Sequence, residues 1–350
     1  MSQTLKDRIK AQIRIDGPLP VSLYMQLALH DRQHGYYATR PGLMKDFATA
    51  PEISQVFGEL IGLWAVNEWR AMGSPARFDL IEIGPGRGVL MTDALRAASA
   101  DPDFMAALTL RLIEPSPALQ TVQAERLGAY DPQFYTGLDQ VPANDAIIIA
   151  NEWLDCLPIR QFVTSPEGWR ERVVGLGEDE ALVFGLSPVM DTLPEPAPSG
   201  AEEWEYSPAL EAAADDIARR FTQHKGRALL IDYGPDAITP ADTLRAYQNG
   251  AQVSPLDHPG EVDMTADVDF AALSRYASAR GLDVSGPLPQ GLFLKSLGLE
   301  SRVSTLMAAN PADAARIGEA AMRIASPDEM GLRFKAICLS SGNLGLPAGF

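Results

Sequence analysis

The sequence predicts an α/β fold, with a doubly wound, mostly parallel sheet, an N-terminal helical segment and an inserted hairpin or cap region. Three observations carry this. The apolar run Phe78-Asp79-Leu80-Ile81-Glu82-Ile83 meets Gly84-Pro85-Gly86-Arg87-Gly88 and then an amphipathic stretch, 89–97. That order reads as strand, glycine turn and helix. Further apolar runs stop at Glu114, at Asn151-Glu152 and at Asp232-Tyr233-Gly234, as strands joined by helical crossovers do. Hydrophobic residues make up 46% of the 350 positions, enough for a large core.

Taken in order, 5–15 is a charged amphipathic helix stopped by Gly17-Pro18, and 21–30 is a second, more apolar helix. His34-Gly35-Tyr36-Tyr37 opens a loop that runs to Pro51, and 35–54 is read as a lid. Thr49-Ala50-Pro51-Glu52 has the makings of a helix start, with Thr49 as N-cap, an early proline and an acid in the first turn. That helix is expected to run to about Met72, with Phe57, Leu60, Ile61 and Trp64 on one face. After the glycine turn, strands are expected at 108–113, 133–136, 146–150 and 227–231, with a helix at 117–127. A hairpin over 169–174 and 181–186 should turn at Gly175-Leu176-Gly177, and the proline-rich stretch 193–198 follows it. Helices at 208–224, 268–281 and 310–326 and a strand at 332–339 complete the chain. The expected division is an N-terminal helical segment with its lid loop (1–73), the first part of the core (74–160), an inserted hairpin and loop (161–205), and the remaining core with substrate-facing helices (206–350).

Lysine and arginine total 29 against 46 acids, a net charge of −17. Such a surface disfavours nucleic-acid phosphate as a partner and suits a basic peptide, although solubility alone also explains it. Two cysteines, Cys156 and Cys338, give no disulfide framework. The first residues lack the apolar core of a signal peptide, and no apolar run is long enough to span a membrane. A reducing cytoplasm fits these features.

The chemistry gathers at the strand ends, where open α/β sheets bind ligands. Gly84, Gly86 and Gly88 let a ligand touch bare backbone, and the helix behind them points its positive end at the turn. A dinucleotide fingerprint would need glycine at position 89, which is Val89. Glu82, two residues before the turn, would repel phosphate but suits a cation, and S-adenosylmethionine carries a sulfonium and an ammonium without phosphate. Glu114 ends the next strand, where an acid can take both ribose hydroxyls or serve the following helix start. Leu138 and Asp139 stand where an adenine would be sandwiched and its amino group bonded. Pro85 and Thr49 join the cofactor-binding candidates. Asn151 and Glu152, with Asp155 as a companion, are the catalytic candidates, because carboxylates at this place can grip a guanidinium by paired hydrogen bonds. His30 and His34 are four apart, but Asp31 stands where a zincin needs glutamate and no third ligand is evident, so no metal site is assigned. Cys156 reads as packing.

Several stretches together resemble the MidA-like family, the mitochondrial complex I assembly methyltransferases and their bacterial relatives. They are Gly17-Pro18, Tyr24-Met25, Gly35-Tyr36-Tyr37, the segment 46–54, Phe57-Gly58-Glu59, Glu82-Ile83-Gly84-Pro85-Gly86-Arg87-Gly88, the segment 150–158, Ile231-Asp232-Tyr233-Gly234, Thr243-Leu244-Arg245-Ala246-Tyr247 and the segment 263–270. Lys45 departs from the family's usual glycine before Asp46-Phe47. The resemblance implies a class I, Rossmann-like methyltransferase using S-adenosyl-L-methionine, with a protein arginine as acceptor. In mitochondrial members that arginine belongs to a core subunit of respiratory complex I. It also implies cofactor contacts at Glu82, Gly84, Gly86 and Glu114, and acceptor contacts at Asn151-Glu152. Bacterial members would be cytoplasmic and eukaryotic ones would sit in the mitochondrial matrix. Two rival readings are an assembly factor that binds the cofactor without catalysis and a small-molecule methyltransferase. A homodimer would cover exposed apolar helices.

Overall fold

The computed structural model describes residues 4–39, 49–235 and 242–350. They form two compact units interleaved along the chain. One takes 4–39, 155–212 and 242–267; the other takes 49–154, 213–235 and 268–350.

The larger unit is built on a seven-stranded sheet. Its strands are β1 (Phe78–Ile83), β2 (Leu108–Ile113), β3 (Gln133–Tyr135), β4 (Ala146–Asn151), β5 (Gly226–Tyr233), β6 (Asp283–Pro289) and β7 (Phe334–Ser340), in the order β3-β2-β1-β4-β5-β7-β6. Neighbours from β3 to β5 pair in parallel, while β7 runs antiparallel to both β5 and β6. The mostly parallel sheet expected from the sequence is therefore present. Chain order reverses between β1 and β4, which opens a crevice at their carboxyl ends. Ile147, Ile148 and Ile149 are buried along with Leu80 and Ile81, because helices cover both faces and leave no solvated side to alternate with. Helices α1 (Gln55–Ala71) and α2 (Val89–Ala98) approach closely, since a Cβ on Gly62 would lie 2.2 Å from the Ala94 carbonyl oxygen. At the opposite end of β1, buried Asp79 pairs with Arg111 at 2.7 Å and Arg220 at 2.6 Å. That ion-pair cluster fixes the amino ends of the strands and leaves the carboxyl ends for binding.

The smaller unit holds a five-stranded antiparallel sheet. Strand Gly168–Leu176 lies between Leu19–Pro20 and Arg160–Ser165, Glu203–Tyr206 flanks the latter, and Leu182–Leu186 also pairs with Gly168–Leu176. A second, three-stranded sheet joins Ala251–Val253, Arg245–Gln248 and Asp263–Thr265.

Three local expectations need correction. The helix starting near Thr49 is broken: Ala50–Ile53 is a separate turn, Ser54 is extended at φ −143° and ψ 120°, and α1 follows. Thr49 holds the N-cap position, but its side chain makes no capping bond. The Ala50 N–H instead donates to Glu152 Oε1 at 3.1 Å. The hairpin does not turn at Gly175-Leu176-Gly177. Gly175 and Leu176 pair with Val183 and Leu182, and the reversal falls at 177–181, where Gly177 N donates to the Ala181 carbonyl and Glu180 adopts φ 61°. Tyr36–Thr39 is a short helix within the loop read as a lid; the rest of that loop over 40–48, with Lys45, lies outside the described residues.

His30 is half-buried with Nε2 3.3 Å from the Cys156 carbonyl oxygen, and His34 faces Asp31 and Arg8. Among the described residues no group of three or more His, Cys, Asp or Glu side chains is placed to hold a metal ion. Nor is any described helix long and apolar enough to cross a membrane.

Candidate functional site

The site grows from the end of β1. Gly84, Gly86 and Gly88 all have positive φ, at 65°, 52° and 74°, a region that side chains avoid and glycine enters freely. Gly84 N donates to the Ile113 carbonyl at 3.1 Å and Gly88 N to the Pro85 carbonyl at 2.7 Å, which makes the turn tight and ties it to β2. Gly88 is the N-cap of α2 and offers no side chain, so the first N–H groups of that helix stay available on the turn side. Pro85 is buried, whereas Gly84 is exposed beside the Trp153 ring. Arg87 pairs with Glu52, its Nε 2.9 Å from Oε1, and so ties the turn to the segment Ala50–Ile53.

Glu82 is 3% exposed, and its Oε2 has no hydrogen-bond partner among the described residues. Burial pushes its carboxyl from an ordinary 4.5 up to about 8. The fold therefore holds this proton to higher pH than the unfolded chain does. The stability that follows is full below pH 4.5 and is lost as pH rises through about 8. The ligand-free protein should accordingly melt at lower temperature at pH 8 than at pH 5, and Glu82→Gln should flatten that fall. Thermal melts of both proteins across this range check the claim; equal slopes would place the dependence elsewhere.

Glu114 follows β2 and is 4% exposed. Its Oε1 accepts from Ser116 N at 2.8 Å and its Oε2 from Gln123 Nε2 at 3.2 Å. Burial outweighs both bonds and raises its carboxyl to about 7. Ser116 caps helix α3 (Pro117–Leu127). Gln123 lies on that helix and was not singled out from sequence; its signal was a polar residue within the buried stripe Leu119, Gln123, Leu127. The Gln123 amide also donates to the Gly86 carbonyl at 2.7 Å. Beyond β3, Leu138 is half-buried and Asp139 exposed in the turn Leu138–Gln140. Asp139 folds back, so that a Cβ on Gly137 would lie 2.4 Å from its Oδ1. Thr49 is half-buried, and its carbonyl accepts from Glu52 and Ile53.

Strand β4 pairs Ile149 with Glu82 and ends at Asn151. Asn151 Oδ1 is buried without a hydrogen-bond partner among the described residues, and its Nδ2 donates to Glu152 Oε1 at 3.0 Å. Glu152 has φ 52°, although it is neither glycine nor asparagine, and its N–H donates to the Ile231 carbonyl at 2.8 Å. Its Oε1 thus receives both the Asn151 amide and the Ala50 N–H, which fixes the carboxylate's direction. Buried Asp232 accepts from Leu154 N at 2.7 Å and from Tyr233 N at 2.9 Å, holding the loop from behind. The larger unit therefore brings Glu82, the glycine turn, Glu114, Leu138, Asp139, Thr49, Asn151 and Glu152 into one body. Asp155 belongs to the smaller unit. There its carboxylate accepts from Thr265 Oγ1 at 2.8 Å, and burial raises it to about 6.

Bare backbone and two buried acids suit a ligand that is cationic, bears hydroxyls and lacks phosphate. The orphaned Glu82 Oε2 and the open side of Gly84 fit the ammonium and sulfonium end of S-adenosyl-L-methionine.

Residues 60–288 match a family model described as "Putative S-adenosyl-L-methionine-dependent methyltransferase". The chain is 34% identical to the Drosophila melanogaster protein arginine methyltransferase NDUFAF7 homolog, mitochondrial, over 97% of this chain and 86% of that protein. It is 32% identical to the Homo sapiens protein arginine methyltransferase NDUFAF7, mitochondrial, over 94% of this chain and 81% of that one. A crystal structure from Burkholderia thailandensis bound to S-adenosyl-homocysteine matches with a TM-score of 0.86 at 25% identity, covering 99% of this chain and 93% of that chain. The chain is thus an S-adenosyl-L-methionine-dependent methyltransferase and belongs to the family that includes the mitochondrial NDUFAF7 proteins.

Proposed function

We propose that this methyltransferase acts on a guanidinium nitrogen of an arginine in a partner protein. The observation that carries the reading is Glu152, a carboxylate held at φ 52° at the end of the central strand and fixed by Asn151 and Ala50. Backbone strain of this kind persists only where the surroundings impose it, and it clusters at functional sites. Relatives over nearly the whole chain are named protein arginine methyltransferases, and an acid in this place suits an arginine acceptor.

S-adenosyl-L-methionine, when bound, supplies a methyl group activated by a sulfonium. Glu82 and the backbone of Gly84, Pro85, Gly86 and Gly88 would hold its amino-acid end, Glu114 its ribose, and Leu138 with Asp139 its adenine, with Thr49 at the margin. A guanidinium is a poor nucleophile because its charge is delocalised and it stays protonated. Glu152 would orient it and draw the positive charge toward the nitrogens away from the attacking one, with Asn151 as a second polar contact. The work of the residues is positioning and preorganised charge.

The partner in this reading is a subunit of the respiratory complex I type, the target that the family resemblance implies. A net charge of −17 suits a basic segment around the arginine. The compartment is a reducing one, in keeping with two buried free cysteines, and the animal relatives are named mitochondrial. In a homodimer, exposed Leu292, Met322 and Leu332 are the side chains to be covered. The test is incubation with isotope-labelled S-adenosyl-L-methionine and a lysate of cells lacking the protein, followed by mass spectrometry. Label on an arginine of one protein is expected. Label on a small molecule would support a different acceptor class, and cofactor binding without any transfer would support an assembly role.

A further inference from the structure

We propose that Gln123 is a positioning residue for the cofactor: its side-chain amide fastens the Glu114 carboxylate to the glycine turn. The inference rests on the reading of Glu114 as the ribose acid. Gln123 is fully buried, and its Nε2 donates to the Gly86 carbonyl at 2.7 Å and to Glu114 Oε2 at 3.2 Å. Both neighbours are acceptors, so the NH2 end must face them, and its two protons are both used. The other end shows what this arrangement costs. Gln123 Oε1 is buried and has no hydrogen-bond partner among the described residues. A stripe formed by Leu119 and Leu127 would accept an apolar side chain between them with no orphaned oxygen. For packing alone, glutamine is a poor choice here. The amide is explained by what it holds: Gly86, at φ 52° in the turn, and the acid at the end of the neighbouring strand. The carboxylate meets Ser116 N–H on its other oxygen, so two fixed donors aim it before any ligand arrives. Preorganisation of this kind lowers the cost of binding.

The test separates positioning from packing. Gln123→Met, with Gln123→Leu as a second apolar variant, should melt at or above the wild-type temperature. Binding of S-adenosyl-homocysteine by calorimetry should weaken roughly tenfold, as expected for a lost hydrogen bond to a charged group. In a Glu114→Gln background the same substitution should cost less than about twofold, because the group it positions has lost its charge. Wild-type affinity in Gln123→Met and Gln123→Leu would overturn the proposal. So would an equal loss in both backgrounds, or a loss that only accompanies a fall in melting temperature, since either makes Gln123 a packing residue. The underlying reading fails separately: Glu114→Gln alone would then leave affinity unchanged.

Discussion

Gly84→Val should abolish measurable binding of S-adenosyl-homocysteine, a loss of more than about a hundredfold, while the protein stays folded. Gly84 has φ 65°, where a β-branched residue is strained. A Cβ there would lie 3.6 Å from Trp153 Cδ1, an ordinary contact, so a single methyl group has room. The two further carbons of valine would project over the open face of the turn, where a ligand has to meet bare backbone. The strain itself costs about 1–2 kcal/mol, too little to unfold a unit with this core. Gly84→Ala should give an intermediate loss. In the wild type, S-adenosyl-homocysteine should raise the melting temperature and NAD should not, since Val89 breaks the dinucleotide pattern. Calorimetry and circular-dichroism melts of the three proteins check this. A valine variant with normal affinity would remove the turn from the cofactor site.

The sheet was legible because its strands are buried on both faces, so β1, β2, β4 and β5 appear as apolar runs that end in Glu114, Asn151-Glu152 and Asp232. The glycine spacing was equally plain. What escaped reading was set by distant contacts. The break at Ser54 follows a stretch with a sound helix-start composition, and it accompanies a bond from Ala50 N–H to Glu152, 102 residues away. Local propensity holds no record of that bond. The strands Arg245–Gln248, Ala251–Val253 and Asp263–Thr265 are too short to show an alternating pattern. Helices Pro102–Ala107 and Leu299–Ala309 leave little trace in the sequence for a related reason, being short or weakly amphipathic. Asp232 was seen as a strand end, but its grip on Leu154 N–H depends on the register of β5 beside β4. Gln123 could have been found, since a glutamine four residues from each of Leu119 and Leu127 interrupts an apolar stripe.

Glu152→Gln should lower methyl transfer by roughly a hundredfold or more, the scale for removing one preorganised charged contact. The substitution keeps the shape. Its amide oxygen can still accept from Ala50 N–H, so the turn Ala50–Ile53 should keep its start. What is lost is the negative charge that draws the guanidinium's positive charge away from the attacking nitrogen. Cofactor affinity should stay within about threefold, under about 1 kcal/mol, because Glu82, the glycine turn and Glu114 are untouched. Asp155→Asn, a change in the smaller unit, should cost less.

The division of labour, cofactor on the glycine turn with its acids and acceptor on Glu152, is tested most directly by single-turnover methylation of the partner protein with Glu152→Gln, run beside a titration of S-adenosyl-homocysteine. The account predicts a loss of about a hundredfold or more in transfer with near-normal affinity. Near-normal transfer would mean that another group orients the acceptor, and lost affinity would put Glu152 in the cofactor's own shell; either result contradicts the account.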